Sequence, residues 1–106
     1  MYDRVEKKVA IYTPTAFSPN NDGINDTFTL FAKESAVAQI NYLRIFNRWG
    51  NLVFEQNYFA PNQLDLGWDG TFKGEHLNPG LFVWVAEVVY VDGRRQVLED
   101  GVQLVR

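Results

Sequence analysis

"LFVWVAEVVYVDGRRQVLEDGVQLVR", residues 81–106, decides the fold. Two runs rich in Val, Phe, Trp and Tyr flank Asp92-Gly93, and such runs favour strands over helices. An Asp-Gly pair between two strands is the signal for a type I′ hairpin. The first run, "LFVWVAEVV", does not alternate apolar with polar residues. A half-exposed strand alternates, so this one is expected at the centre of a sheet, its outer face covered by a neighbouring element or a partner. Gly101 interrupts the second run and is expected to mark a bulge.

Working outward, the same pattern recurs. "KVAIYT" (8–13), "DTFTLFA" (26–32), "INYLRIFN" (40–47) and "NLVFEQNYF" (51–59) are further strand candidates separated by Gly, Pro, Asn and Asp. "NRWG" (47–50) suits a type I turn with Gly50 left-handed, closing a hairpin. "NPG" (78–80) suits a type II turn with positive φ at Gly80. "FAKESAVAQI" (31–40) leaves room for one helical turn at most. About seven short strands joined by tight turns imply an all-β fold, an antiparallel immunoglobulin-like β-sandwich. The Cys…Trp…Cys hallmark of antibody domains is absent, because the chain has no cysteine.

Composition narrows the function. With 106 residues, one domain is expected. Sixteen aromatics (three Trp, five Tyr, eight Phe) supply a core. A net charge of −3 with dispersed Lys and Arg implies no nucleic-acid face. Without Cys there are no disulfides, thiolate metal sites or Cys nucleophiles. No apolar run reaches the ~20 residues of a membrane span, so no membrane insertion is expected. The charged start, "MYDRVEKKVA", has no signal-peptide core, so any export signal would lie elsewhere. Residues 1–10 read as a linker and lead-in to the first strand, and 11–106 as the domain.

Catalytic chemistry finds no support. The single His76 lies in the turn-rich "GEHLNPG" with no metal-ligand or triad spacing, and no phosphate-binding glycine motif occurs. The oxygen-rich "FSPNNDGINDTF" (17–28) has two readings. Against a calcium loop, Ser18, Asn20, Asp22, Gly23, Ile24 and Asp26 fall at positions 1, 3, 5, 6, 7 and 9, with Thr29 at position 12 where a Glu belongs. Calcium would then be held by Asn20, Asp22, the Ile24 carbonyl and Asp26. Alternatively, Asn and Asp side chains form Asx turns around a left-handed Gly23. Calcium is a candidate ligand, not a required cofactor. Of the tryptophans, Trp84 belongs to the core, and Trp49 and Trp68, beside turns, are expected to pack the sandwich ends with Arg48 stacked on an aromatic face.

Taken in order, "FSPNNDGINDTF", "LRIFNRWGNLVFE", "GWDGTFKGEHLNPGLFVWVAEVVYVDG" and "DGVQLVR" resemble the type B C-terminal sorting domain of the type IX secretion system. This is the gliding-motility-associated, CHU_C-like family of Bacteroidota. The resemblance spans roughly residues 11–106. Asn21 replaces a frequent Gly, and 56–67 is a longish insertion. The resemblance implies a non-enzymatic, monomeric address at the C-terminus of a larger protein, bound for the cell surface or medium through the periplasm. It implies as partner the type IX machinery, through an outer-membrane protein of the PorP/SprF kind. The turns Asn47-Arg48-Trp49-Gly50 and Trp68-Asp69-Gly70, with Arg106, become the candidate recognition residues. Two rivals stay open: a carbohydrate-binding module, which needs coplanar exposed aromatics, and an adhesive immunoglobulin-like spacer, which needs a domain to follow.

Overall fold

The computed structural model describes residues 11–20, 26–33 and 35–106. Nine strands occur among them: β1 (Ile11–Tyr12), β2 (Ala16–Phe17), β3 (Phe31–Ala32), β4 (Val37–Phe46), β5 (Leu52–Phe59), β6 (Thr71–Phe72), β7 (Glu75–His76), β8 (Gly80–Tyr90) and β9 (Arg95–Leu104). A short 3₁₀ turn covers Leu64–Leu66. The main sheet has the order β2-β9-β8-β4-β5, antiparallel throughout except that β2 runs parallel to β9. The β1–β3 pair and the stretch leading into β3 cover its inner face, giving the expected all-β sandwich.

β8 is central, as its composition implies, but it does alternate. Phe82, Trp84, Ala86, Val88 and Tyr90 are buried, while Leu81 is 58% and Val83 39% exposed. The residues that face away from the core are themselves mostly apolar, so the alternation is invisible in the sequence. Their expected cover is not present among the described residues. Gly101 makes no bulge: β9 pairs with β8 in unbroken register, Gly101 opposite Val83. A Cβ there would stand 3.2 Å from Cδ1 of the exposed Leu81, which would have to shift slightly.

The two long hairpins share one turn design. Gly50 N–H donates to the Asn47 carbonyl (3.0 Å) and Asn47 N–H to that of Asn51 (3.0 Å). Likewise Gly93 N–H donates to Tyr90 (2.9 Å) and Tyr90 N–H to Arg94 (2.8 Å). Gly50 and Gly93 are left-handed, at φ +84° and +91°, whereas Asp92 is not. The 91–94 turn is therefore not type I′. Asp92 Oδ1 accepts from Arg94 N–H, an Asx arrangement that keeps Asp92 at ordinary φ. Gly80, at φ +157°, opens β8 opposite Leu104 and is no type II turn residue.

The 26–32 candidate forms a ladder only at β3. Phe28, Thr29 and Leu30 are all buried in succession, which an alternating strand on one sheet face cannot achieve. The segment instead crosses the core, bridging Trp68 through paired backbone bonds of 2.8 and 2.9 Å. The possible helical turn at 31–40 is a single turn in which Lys33 carbonyl accepts from Ala36 and Val37.

Candidate recognition surface

Register places the candidate recognition residues at one end of the sheet. Gly80 pairs with Leu104, Phe17 with Leu104, and Phe46 with both Val83 and Leu52. The 47–50 turn, the start of β8, the end of β9 and the chain following β2 therefore share that end. The β6–β7 hairpin, with Asp69-Gly70 ahead of it, is tied there by Arg106. Its Nε donates to the Leu77 carbonyl (2.8 Å) and its Nη2 to the Gly70 carbonyl (3.0 Å). Leu77 N–H also donates to Gly70 (3.0 Å). At φ +84°, Gly70 is closely surrounded: a Cβ would lie 3.2 Å from Arg106 Nη2, Leu104 Cδ1 and Pro19 Cγ alike. Leu77 and Pro19 are absent from the sequence-derived set. Arg106 is held by main-chain carbonyls, which every residue carries, so no side-chain pattern announces them.

These residues divide by role. Asn47 Oδ1 accepts from the N–H groups of Trp49 and Asn51, both at 3.0 Å, fixing the turn. Asp69 Oδ1 accepts from Thr71 N–H (3.1 Å) and Thr71 Oγ1 (2.6 Å). Trp68 is 1% exposed, its Nε1 donates to the Thr71 carbonyl (2.9 Å), and its ring packs against Phe17 and Phe82 at 5.4 and 5.0 Å. All three shape the end from within.

Trp49 departs from expectation. It is 74% exposed and packs no sandwich end; its one described ring partner is the Arg48 guanidinium, 4.8 Å from the ring centre. A four-residue turn projects beyond the strands, and Asn47 already satisfies its backbone, so nothing draws the indole inward. The end thus presents a stacked cation and aromatic on a rigid turn. With Trp68 and Trp84 buried, the tryptophans form no exposed row of the kind sugar binding requires.

The 17–28 loop is described in part. Asp22 and Ile24 lie outside the described residues. Asn20 N–H donates to the Ser18 carbonyl (2.9 Å), and Asp26 is half-buried. Thr29, at the loop's twelfth position, is fully buried in the core. The hydrogen bond from Arg44 to Glu55 (2.8 Å) raises the guanidinium's value, and those from Arg94 hold Asp92 below the usual carboxylate range. Burial pushes the Tyr90 phenol up.

No curated protein matches the chain. Among solved structures, the crystal structure of CopC from Methylosinus trichosporium OB3b is similar, with a TM-score of 0.53 and 17% identity over 88% of this chain and 84% of that one. That likeness is one of fold alone. Residues 11–103, nearly all of the described structure, match the CHU_C Type IX secretion signal domain, and the chain belongs to that family.

Proposed function

We propose that this sorting domain carries its parent protein across the outer membrane by presenting the 47–50 turn end to an outer-membrane partner of the PorP/SprF kind. Family membership makes the chain a secretion signal domain, the C-terminal part of proteins exported to the cell surface or medium, and implies contact with the type IX machinery. The finer reading rests on one observation. The family-like turns gather at one end, and there Arg48 and Trp49 alone of the candidate set combine exposed side chains with no role in holding the fold. A rigid turn carrying an aromatic and a cation loses little entropy on docking, and both residue types are enriched among interface hot spots.

The test uses a fluorescent reporter with an N-terminal export signal, fused to residues 1–106, in a bacterium with a type B-competent type IX system. Export of the fusion is expected. R48A/W49A should leave unfolding unchanged within about 0.5–1 kcal/mol, as for exposed positions, yet hold the reporter in the periplasm. Normal export of the folded double variant would transfer recognition to another surface. Retention of the unaltered fusion, alongside export by an established sorting domain, would refute the export role itself.

A further inference from the structure

Among the described residues the sandwich is open along one margin. At the buried Pro14 the chain passes from β1, in the covering layer, to β2 in the main sheet. β2 pairs with β9 only at Gln103 and Leu104. Upstream, Arg95–Gly101 have β8 on one side and, among the described residues, no strand on the other. The pleat fixes which groups face that open side. Gln103 N–H donates to Thr15 and Val105 N–H to Phe17, both at 2.9 Å, so odd-numbered residues of β9 direct their backbone groups outward. Gly101 N–H is already taken by Asp100 Oδ1 at 2.8 Å. Glu99 and Val97 are thus left with outward N–H and C=O groups, the template for strand addition.

A groove of about 300 Å³ lies beneath this edge, between Ile11 and Thr13 on one side and Trp84, Leu98 and Asp100 on the other. Trp84 is 3% exposed, and its indole N–H has no acceptor among the described residues. A buried donor without a partner is uncommon in a finished core. Asp100 faces the groove directly opposite Trp84 across the β8–β9 ladder, Glu99 also lines the groove, and among the described residues no Lys or Arg does. Leu98 precedes Asp100 by two residues on the same face.

We propose that this margin accepts one extended segment of a partner protein, added as a further strand beside Arg95–Gly101. Its groove-facing residues are an apolar side chain set against Leu98 and, two positions away, a Lys or Arg set against Asp100. Cross-strand pairs select such neighbours, and main-chain bonds to Val97 and Glu99 supply the common affinity of strand addition. The assignment is independent of the 47–50 turn end and stands whichever surface the secretion machinery reads.

The test selects random nine-residue peptides on residues 1–106, with counter-selection on Val97→Pro. That change removes an outward N–H at a sheet edge, where proline is tolerated, and its folding is checked by circular dichroism and the unfolding midpoint. Survivors should carry the apolar-x-basic spacing and bind the unaltered domain at least tenfold tighter than V97P. They should also shift the Trp84 indole resonance and slow amide exchange at Val97 and Glu99. If V97P fails to fold, the same peptides with alternate amides N-methylated should lose binding by at least tenfold on the unaltered domain. D100N, which keeps the acceptor for Gly101 but not the charge, should erase the preference for the basic residue. The proposal is overturned if no peptide distinguishes the two domains, if N-methylation changes nothing, or if the resonances move elsewhere. It is equally overturned if the edge is filled by a second copy, seen as a peptide-free dimer that V97P dissolves.

Discussion

Gly70→Ala separates two costs that usually arrive together. Gly50 and Gly70 have the same left-handed backbone, φ +84°. A Cβ at Gly50 meets nothing within 4 Å, whereas at Gly70 it meets Arg106, Leu104 and Pro19 at 3.2 Å each. Forcing an L-residue into that region costs about 1–2 kcal/mol, and this is the whole penalty expected for G50A. The entropy lost by the unfolded chain on gaining a Cβ is common to both variants and cancels between them. At Gly70 the neighbours must also retreat by a few tenths of an ångström, and Arg106 can do so only by weakening its bond to the Gly70 carbonyl. Crowding of this kind costs about 1–3 kcal/mol, so G70A should fall roughly 2–5 kcal/mol below the unaltered domain. In a domain of this size each kcal/mol moves the melting midpoint about 4–8 °C. Urea unfolding of both variants, compared at constant m, reads the difference. Arg106→Ala made in each background completes a cycle in which the Arg106 effect should shrink in the G70A protein. Equal stability of G50A and G70A, within about 0.5 kcal/mol, would refute a tightly packed junction between the terminal arginine and the 68–70 turn.

Three further outcomes are expected. Trp68→Phe and Trp84→Phe remove the same ring volume from buried positions, but only Trp68 spends its N–H on a partner, the Thr71 carbonyl; W68F should therefore cost about 1 kcal/mol more in chemical unfolding, and equal losses would argue that this bond contributes nothing. Burial holds the Tyr90 proton in the folded state beyond the ordinary phenol range near ~10; because the raised value belongs to the folded form, its stabilising share is complete below that range and is lost as pH rises through the raised value. Melting midpoints of the unaltered domain should then fall more steeply than those of Tyr90→Phe as pH rises above ~10, and parallel curves would contradict this. The calcium reading of the 18–26 loop predicts weak binding, toward the ~10⁻⁴–10⁻³ M of extracellular modules, abolished by Asp22→Asn; identical melting curves in calcium and chelator would reject it in favour of Asx turns.

Local signals carried most of the architecture. The Asn47–Gly50 turn, the Asp92-Gly93 hairpin, the central position of 81–90 and the core placement of Trp84 depend on residues within a few positions of one another, and turn residues and apolar runs encode such relations directly. The family-like motifs around Asn47–Gly50 and Trp68–Gly70 were legible for the same reason: each holds a short turn. Where local reading misled, the cause was local ambiguity. Two apolar faces made β8 look unalternating, and Asp92-Gly93 serves more than one turn.

What the sequence alone determined, then, is the inventory of strands and turns and the family they spell. What only the tertiary structure decided is which of those turn residues hold the fold and which face outward. Trp49 and Trp68 look alike beside their glycines, yet one is buried between Phe17 and Phe82 and the other stands free with Arg48. Arg106 reaches the Gly70 carbonyl across 36 positions, and among the described residues no strand flanks Arg95–Gly101 because the chain changes layers at Pro14. Each of these outcomes joins distant segments through packing volume or main-chain groups. Neither leaves a mark on residue identity, so they come into being only when the chain is folded.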